Sequence, residues 1–204
     1  MKITLEGLGK KFAREWIFRG IDYTLESGKS YAITGGNGSG KSTLLKILSG
    51  VADPSKGKII YETKHKTVGV EEIWRYLVLA GPYTELIEEY TLLEQLTFHT
   101  SLKKMTKSID EIIETLGFES AKNKQIQDFS SGMKQKLKLA LAFFTESEIL
   151  FLDEPTSNLD QKNIDWYQSW LPQVSNDRLV VICSNQTYEY EHCDEIISVE
   201  SFKI

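Results

Sequence analysis

Residues Gly35-Gly36-Asn37-Gly38-Ser39-Gly40-Lys41-Ser42-Thr43 fit the pattern G-x-x-x-x-G-K-[ST], which is tied to one local fold. An apolar run with strand character, Tyr31-Ala32-Ile33, stands before it, and a helically spaced segment, Leu44, Leu45, Ile47 and Leu48, follows and closes at Gly50. Glycines let such a loop turn back so that successive N–H groups form a nest for β- and γ-phosphates at a helix N-terminus. Lys41 would reach the β/γ oxygens as a point charge, and the Ser42 hydroxyl would take one position on Mg²⁺. A plain glycine-rich turn before a helix would not need a strand and a helix on both sides. Alone, the motif implies a bound nucleoside triphosphate and leaves its use open.

The chain has 204 residues, enough for one large α/β domain or a domain with a small inserted subdomain. Its net charge of -5 argues against nucleic acid as a main partner, since that partner demands a basic face. Lys64-His65-Lys66 and the lysines at 134, 136 and 138 are expected to be solvated faces, and His65, His99 and His192 surface residues. The two cysteines, Cys183 and Cys193, lack metal-type spacing, so packing or surface roles in a reducing cytosol are expected. The N-terminus alternates like a strand and has no signal-peptide core. No apolar run approaches the roughly 20 residues of a spanning helix, which leaves a peripheral seat on a membrane protein open.

Residues 2 to 34 read as strands separated by turns, with Glu26-Ser27-Gly28-Lys29 ahead of the loop strand. Phe12 and Trp16 could stack on a base or could be ordinary core or surface aromatics. A turn at Asp53 to Gly57 leads into the strand Lys58-Ile59-Ile60-Tyr61, and a second strand covers Tyr76 to Ala80. From Thr91 to Gly117 the period is helical, with capping boxes at Thr91-Leu92-Leu93-Glu94 and Ser108-Ile109-Asp110-Glu111. After Ser130, Met133, Leu137, Ala140, Leu141 and Phe144 share one helical face. A serine and glycine exposed at that helix start would make a second anion site. An all-helical block thus interrupts an α/β chain.

Ile149-Leu150-Phe151-Leu152-Asp153-Glu154 is a strand ending in two carboxylates. Such a pair usually caps a helix or a turn. Behind a phosphate loop, Asp153 has a better use in the Mg²⁺ shell and Glu154 in polarising the attacking water. Pro155 to Asp160 is a loop ending in a helix cap, and the helix through Trp166 and Trp170 is expected to break near Pro172. Strands at 179–183 and 196–199 close the pattern.

Taken together, Gly35 to Thr43, Phe129 to Met133, Ile149 to Glu154 and Ser157 to Asp160 resemble the ABC-type ATPases in order and spacing. The resemblance covers essentially the whole chain. It implies a P-loop NTPase core of mainly parallel sheet with an antiparallel β portion and an inserted helical subdomain. The core would be 1–83 and 147–204, and the helical subdomain 84–146, within one nucleotide-binding domain. It implies ATP and Mg²⁺ as cofactors and a head-to-tail dimer, homo- or heteromeric, that sandwiches two ATPs. Ser130 and Gly132 would then face the γ-phosphate held by the partner's phosphate loop, Asp160 would lie at the dimer seam, and Phe12 takes the place of the adenine-stacking aromatic.

Three departures stand out. The signature reads Phe-Ser-Ser-Gly-Met for Leu-Ser-Gly-Gly-Gln, keeping the serine and second glycine. The glutamine expected after Ala80 is replaced by Gly81-Pro82-Tyr83, and Asn185 stands where the family has a γ-phosphate histidine. The implied activity is ATP hydrolysis powering a membrane transporter from the cytoplasmic face, slowed by the two losses; the small size is similar to compact haem-exporter subunits. A soluble ABC-type regulator or assembly ATPase, a catalytically weak ATP-binding subunit and a P-loop kinase are the competing readings.

Overall fold

The structure, a computed structural model, describes residues 1–203. Its contacts group into two compact units: Met1–Val78, Ser147–Glu154 and Ser175–Ile204 form the first, Leu79–Glu146 and Pro155–Val174 the second. Pro155–Val174 thus groups with the helices, whereas the sequence expectation kept 147–204 whole.

In the first unit, β1 (Lys2–Phe12) and β2 (Glu15–Glu26) form a hairpin that continues through β4 (Lys56–Glu62) to β5 (Thr67–Val68), in the antiparallel order β2-β1-β4-β5. The two-residue β5 has no counterpart in the sequence expectation, being too short to carry a periodic signal. Alternation sends Ile3 and Leu5 inward and leaves Lys2 and Glu6 outside, and a register shift between Leu5 and Leu8 reverses the parity so that Leu8 is buried as well. The second sheet has the order β6-β7-β8-β3-β9, from β6 (Leu77–Ala80), β7 (Ile149–Asp153), β8 (Leu179–Cys183), β3 (Ser30–Thr34) and β9 (Glu195–Ser198). Strands β7, β8, β3 and β9 run parallel. Every residue of β7 and β8 is buried, which is why both read as unbroken apolar runs. α1 (Lys41–Leu48) follows β3 and buries Leu44, Leu45, Ile47 and Leu48, and the short α6 (Thr187–Tyr190) precedes β9.

The second unit holds α2 (Leu92–Leu102), α3 (Ile109–Leu116), α4 (Ser131–Phe144) and α5 (Gln161–Ser175). Both expected capping boxes are formed: Thr91 and Ser108 each accept from the N3 amide while Glu94 and Glu111 reach back. Gly117, at φ 69, ends α3. α4 is buried beyond its expected stripe: Leu139 and Phe143 are also inside, and Phe143 stacks on Trp166 at 5.8 Å and Tyr167 at 6.0 Å of α5.

Four expectations need correction here. α5 runs through Pro172 to Ser175. Proline forfeits one hydrogen bond near the helix end, a loss set against the packing of Trp166, Tyr167 and Trp170 on α4. Lys136 is buried, not solvated; its Nζ donates to Leu116 O at 3.0 Å and sits 5.1 Å from the Trp166 ring centre and 5.7 Å from that of Phe118. His99 is half-buried, not superficial, with Nε2 2.8 Å from Thr145 Oγ1. The strand expected from Tyr76 starts at Leu77, because Tyr76 keeps a helical backbone, φ -101 and ψ -12, as the cap of the 3-10 turn Ile73–Arg75.

Candidate functional site

β3 delivers the glycine loop. Its interior residues Tyr31, Ala32 and Ile33 are fully buried between β8 and β9, so the chain leaves the sheet at Thr34 from a fixed point. The loop spans 35–40 and α1 starts at Lys41. Gly40 takes φ 108, and a Cβ there would come within 2.4 Å of Ile17 Cγ2, so only glycine lets the loop lie this close to β2. α1 has no side-chain N-cap and no acid in its first turn. Its first amides are therefore unclaimed by side chains, as an anion site requires. Lys41 is 5% exposed, and its Nζ donates to Gly35 O at 2.8 Å and Gly36 O at 3.3 Å. That holds a full positive charge over the loop, with neutral carbonyls that phosphate oxygens would outcompete.

Asp153 ends β7 beside this loop. It is 2% exposed, and its Oδ1 has no hydrogen-bond partner. Burial pushes its carboxyl above the usual aspartate value; the Ser42 hydrogen bond pulls against this, Glu154 adds to it, and Lys41 and Lys46 oppose it. A buried carboxylate oxygen left over beside a serine hydroxyl suits a hard cation. Among the described residues no group of three His, Cys, Asp or Glu side chains could cage a metal. A cation here would take much of its shell from phosphates and water, which is the habit of Mg²⁺. The residues present therefore fit both a triphosphate and its Mg²⁺.

Glu154 follows at φ 47, a left-handed conformation costly for a residue with a side chain, and its N–H donates to Cys183 O at 2.9 Å. The Asp153↔Cys183 register brings β8 to the same place. Cys183 is wholly buried with Sγ 3.7 Å from Lys41 O; burial, then the Asp153 charge, drives its thiol well above the ordinary range. It is an inert packing group beneath the site. Two residues beyond, exposed Asn185 donates from Nδ2 to Asn37 Oδ1 at 2.7 Å.

The two aromatics of the β1–β2 hairpin differ. Phe12 is 57% exposed, with Lys10 Nζ 5.4 Å from its ring centre. Trp16 is half-buried and engaged by Lys11 at 5.6 Å and Arg19 at 5.0 Å. Phe12 has the freer ring face for a base.

In the second unit, Ser130 is exposed and caps α4, its Oγ accepting from Met133 N–H at 3.2 Å. The oxygen is used for the cap while the hydroxyl proton remains to donate. A Cβ on Gly132 would lie 2.9 Å from Asn158 O, so the loop after β7 passes against α4 where only glycine allows it. Buried Gln135 adds a hydrogen bond from Nε2 to Pro155 O at 2.8 Å. Asp160 is exposed and caps α5, Oδ1 accepting from Asn163 N–H at 2.9 Å.

Within the first unit the structure thus gathers Gly35 to Thr43, Asp153, Glu154 and Asn185, and within the second it gathers Ser130, Gly132 and the loop ending at Asp160. Gln135 and Glu200, whose carboxylate meets Gly36, were not singled out from sequence. Gln135 lies off the apolar stripe, and Glu200 gains its place only through the register of β9 with β3.

In comparison with known proteins, the family model described as ABC transporter matches residues 18–157. The uncharacterized ABC transporter ATP-binding protein YybJ of Bacillus subtilis is 32% identical over 97% of this chain and 88% of its own length. The lantibiotic transport ATP-binding protein SrtF of Streptococcus pyogenes is 29% identical over 96% of this chain and 85% of its own. A solved ATP-binding cassette, dimeric in a post-hydrolysis state bound to ADP and Pi, superposes with a TM-score of 0.81 at 21% identity, covering 96% of this chain and 93% of that one. At that identity the likeness establishes the fold.

Proposed function

We propose that this chain, which belongs to the ABC transporter family of ATP-binding proteins, is the ATP-hydrolysing motor subunit of a membrane transporter and works as a head-to-tail dimer. The observation that carries the reading is the buried, unpartnered Oδ1 of Asp153 beside Ser42 and Lys41, at the end of a loop whose helix amides are uncapped. The loop residues and Lys41 hold the phosphates of ATP, and Phe12 offers its exposed ring to the base. Ser42 and Asp153 hold Mg²⁺, which when bound offsets charge on the phosphate oxygens. Glu154 polarises the attacking water and takes its proton. Ser130 and Gly132 meet the nucleotide bound to the partner subunit, and Asp160 lies at the seam.

Hydrolysis is slow for the class. Asn185 offers a neutral amide donor where a protonated imidazole would add positive charge. After β6 a turn closed by Thr84, whose Oγ1 donates to Gly81 O at 2.7 Å, replaces the glutamine. Partner movement and chemistry are therefore loosely timed, or this chain pairs with a more competent subunit in a heterodimer.

Among the described residues no helix is long and apolar enough to cross a membrane. A separate spanning subunit supplies the pathway, and this chain sits peripherally on the cytoplasmic face. The docking segment is Tyr83 to Tyr90, where Tyr83 is 58% exposed and Leu86 and Ile87 are half-buried among acids. Purification of the tagged chain from detergent-solubilised membranes and from cytosol tests this. An integral membrane protein recovered in fixed ratio supports the motor reading. Recovery from cytosol alone, with full ATPase activity, contradicts it.

A further inference from the structure

The last strand carries a carboxylate to the phosphate loop. β9 pairs in parallel with β3, with Ile33 opposite Ile197 and Thr34 opposite Ser198. Two residues further along each chain, Gly36 and Glu200 arrive side by side. Val199, fully buried, anchors the 3-10 turn Val199–Phe202 that holds Glu200 there. Glu200 Oε1 accepts the Gly36 N–H at 2.9 Å. A Cβ on Gly36 would lie 3.3 Å from that oxygen, and one on Gly35 would lie 3.5 Å from Glu200 Cγ, so the side chain covers both glycines.

An acid at the edge of a site that gathers phosphate is unfavourable by charge alone. The contact is nonetheless a charge-assisted hydrogen bond, stronger than a neutral one, made to the residue type that loses most backbone freedom on ordering. The neighbouring ties act on the same stretch: Gly36 O accepts from Ser39 N–H at 3.0 Å, and Asn37 is held by Asn185. Without Glu200 the peptide joining Gly35 to Gly36 keeps the Lys41 bond to its carbonyl but has no acceptor fixing its N–H, and nucleotide binding must then complete its ordering.

We propose that Glu200 is a positioning residue for the phosphate loop: its carboxylate fixes the Gly36 amide, so the loop is ordered before nucleotide arrives. The proposal rests on reading residues 35–43 as the ATP site. Pre-ordering tightens binding by removing a cost otherwise met during association.

The test is ATP titration of the chain by calorimetry, with and without Mg²⁺, alongside hydrogen exchange at the Gly36 amide without nucleotide. Glu200→Ala should raise the Kd for ATP about 3- to 10-fold, the scale of one such hydrogen bond. It should also speed Gly36 exchange and raise KM for ATP more than it lowers kcat. Glu200→Gln keeps a side-chain oxygen at the same reach and should recover most of the lost affinity. Tighter binding by both variants would mean that Glu200 acts as a repelling charge, and would overturn the proposal. So would equal Kd and exchange in all three proteins, or a lower melting temperature and kcat in Glu200→Ala with Kd unmoved. Lys41→Ala separates the two levels. If wild type binds ATP no better than Lys41→Ala, the ATP-site reading falls together with this inference; if it binds far better while Glu200→Ala matches it, this inference alone falls.

Discussion

Asn185 Nδ2 donates to Asn37 Oδ1 at 2.7 Å, joining the chain beyond β8 to the phosphate loop. The amide is thus already at the loop, but it brings no charge. Restoring an imidazole should restore an electrostatic donor of the kind whose loss costs on the order of 10²- to 10³-fold in turnover. Asn185→His is therefore expected to raise the steady-state rate of phosphate release clearly, with little change in ATP affinity. An unchanged rate, with wild type already brisk, would mean that another group supplies the charge.

Gln135 makes a stability prediction. Its Nε2 is the donor to a buried carbonyl, that of Pro155, one residue after Glu154. Gln135→Leu keeps the volume roughly and leaves that carbonyl unsatisfied, a loss of about 1–3 kcal/mol. Urea denaturation should show the midpoint falling with the slope unchanged. A midpoint equal to wild type would mean that water or a shifted side chain replaces the bond.

His99 gives the second unit a pH dependence. The Thr145 hydroxyl donates to Leu141 O at 2.6 Å, so toward His99 it accepts, and Nε2 carries the proton. Burial, then the Lys103 charge, lowers the imidazole below its ordinary 6.5. The unfolded chain takes up this proton at higher pH than the folded one. The contribution is thus fully present above 6.5 and is lost as pH falls through that value toward the lowered folded one. One proton sets a ceiling of about 1.4 kcal/mol per pH unit on the slope. His99→Gln, which keeps a donor, should flatten the stability profile between neutral pH and pH 5 in denaturation experiments. Identical slopes in the two proteins would place the pH dependence elsewhere.

The local chemistry of this fold was legible in the sequence. Two capping boxes, the Gly117 stop, the buried runs of β7 and β8 and the loop before α1 each state their structure within a few residues. What could not be read depends on partners far along the chain. Lys136 and His99 look solvent-facing until Trp166 and Thr145 are packed against them. Pro172 looks like a break until three aromatic contacts of α5 are counted against one missing hydrogen bond. The loop, Asp153 and Glu154 were legible because their chemistry needs them in one order. Glu200 was not, since a lone acid near a chain end carries no local sign of the glycine it will meet.

The chemistry of the proposed ATP-driven dimer depends on Glu154. Glu154→Gln should keep the groups of the phosphate loop, Asp153, Ser130, Gly132 and Asp160 while losing water activation. The direct measurement is sizing chromatography of this variant with ATP and Mg²⁺ at high protein concentration, with phosphate release followed in parallel. The expected result is a persistent dimer that holds unhydrolysed ATP, reverting to monomer when nucleotide is removed. A strictly monomeric profile with ATP bound, or phosphate release at the wild-type rate, would contradict it.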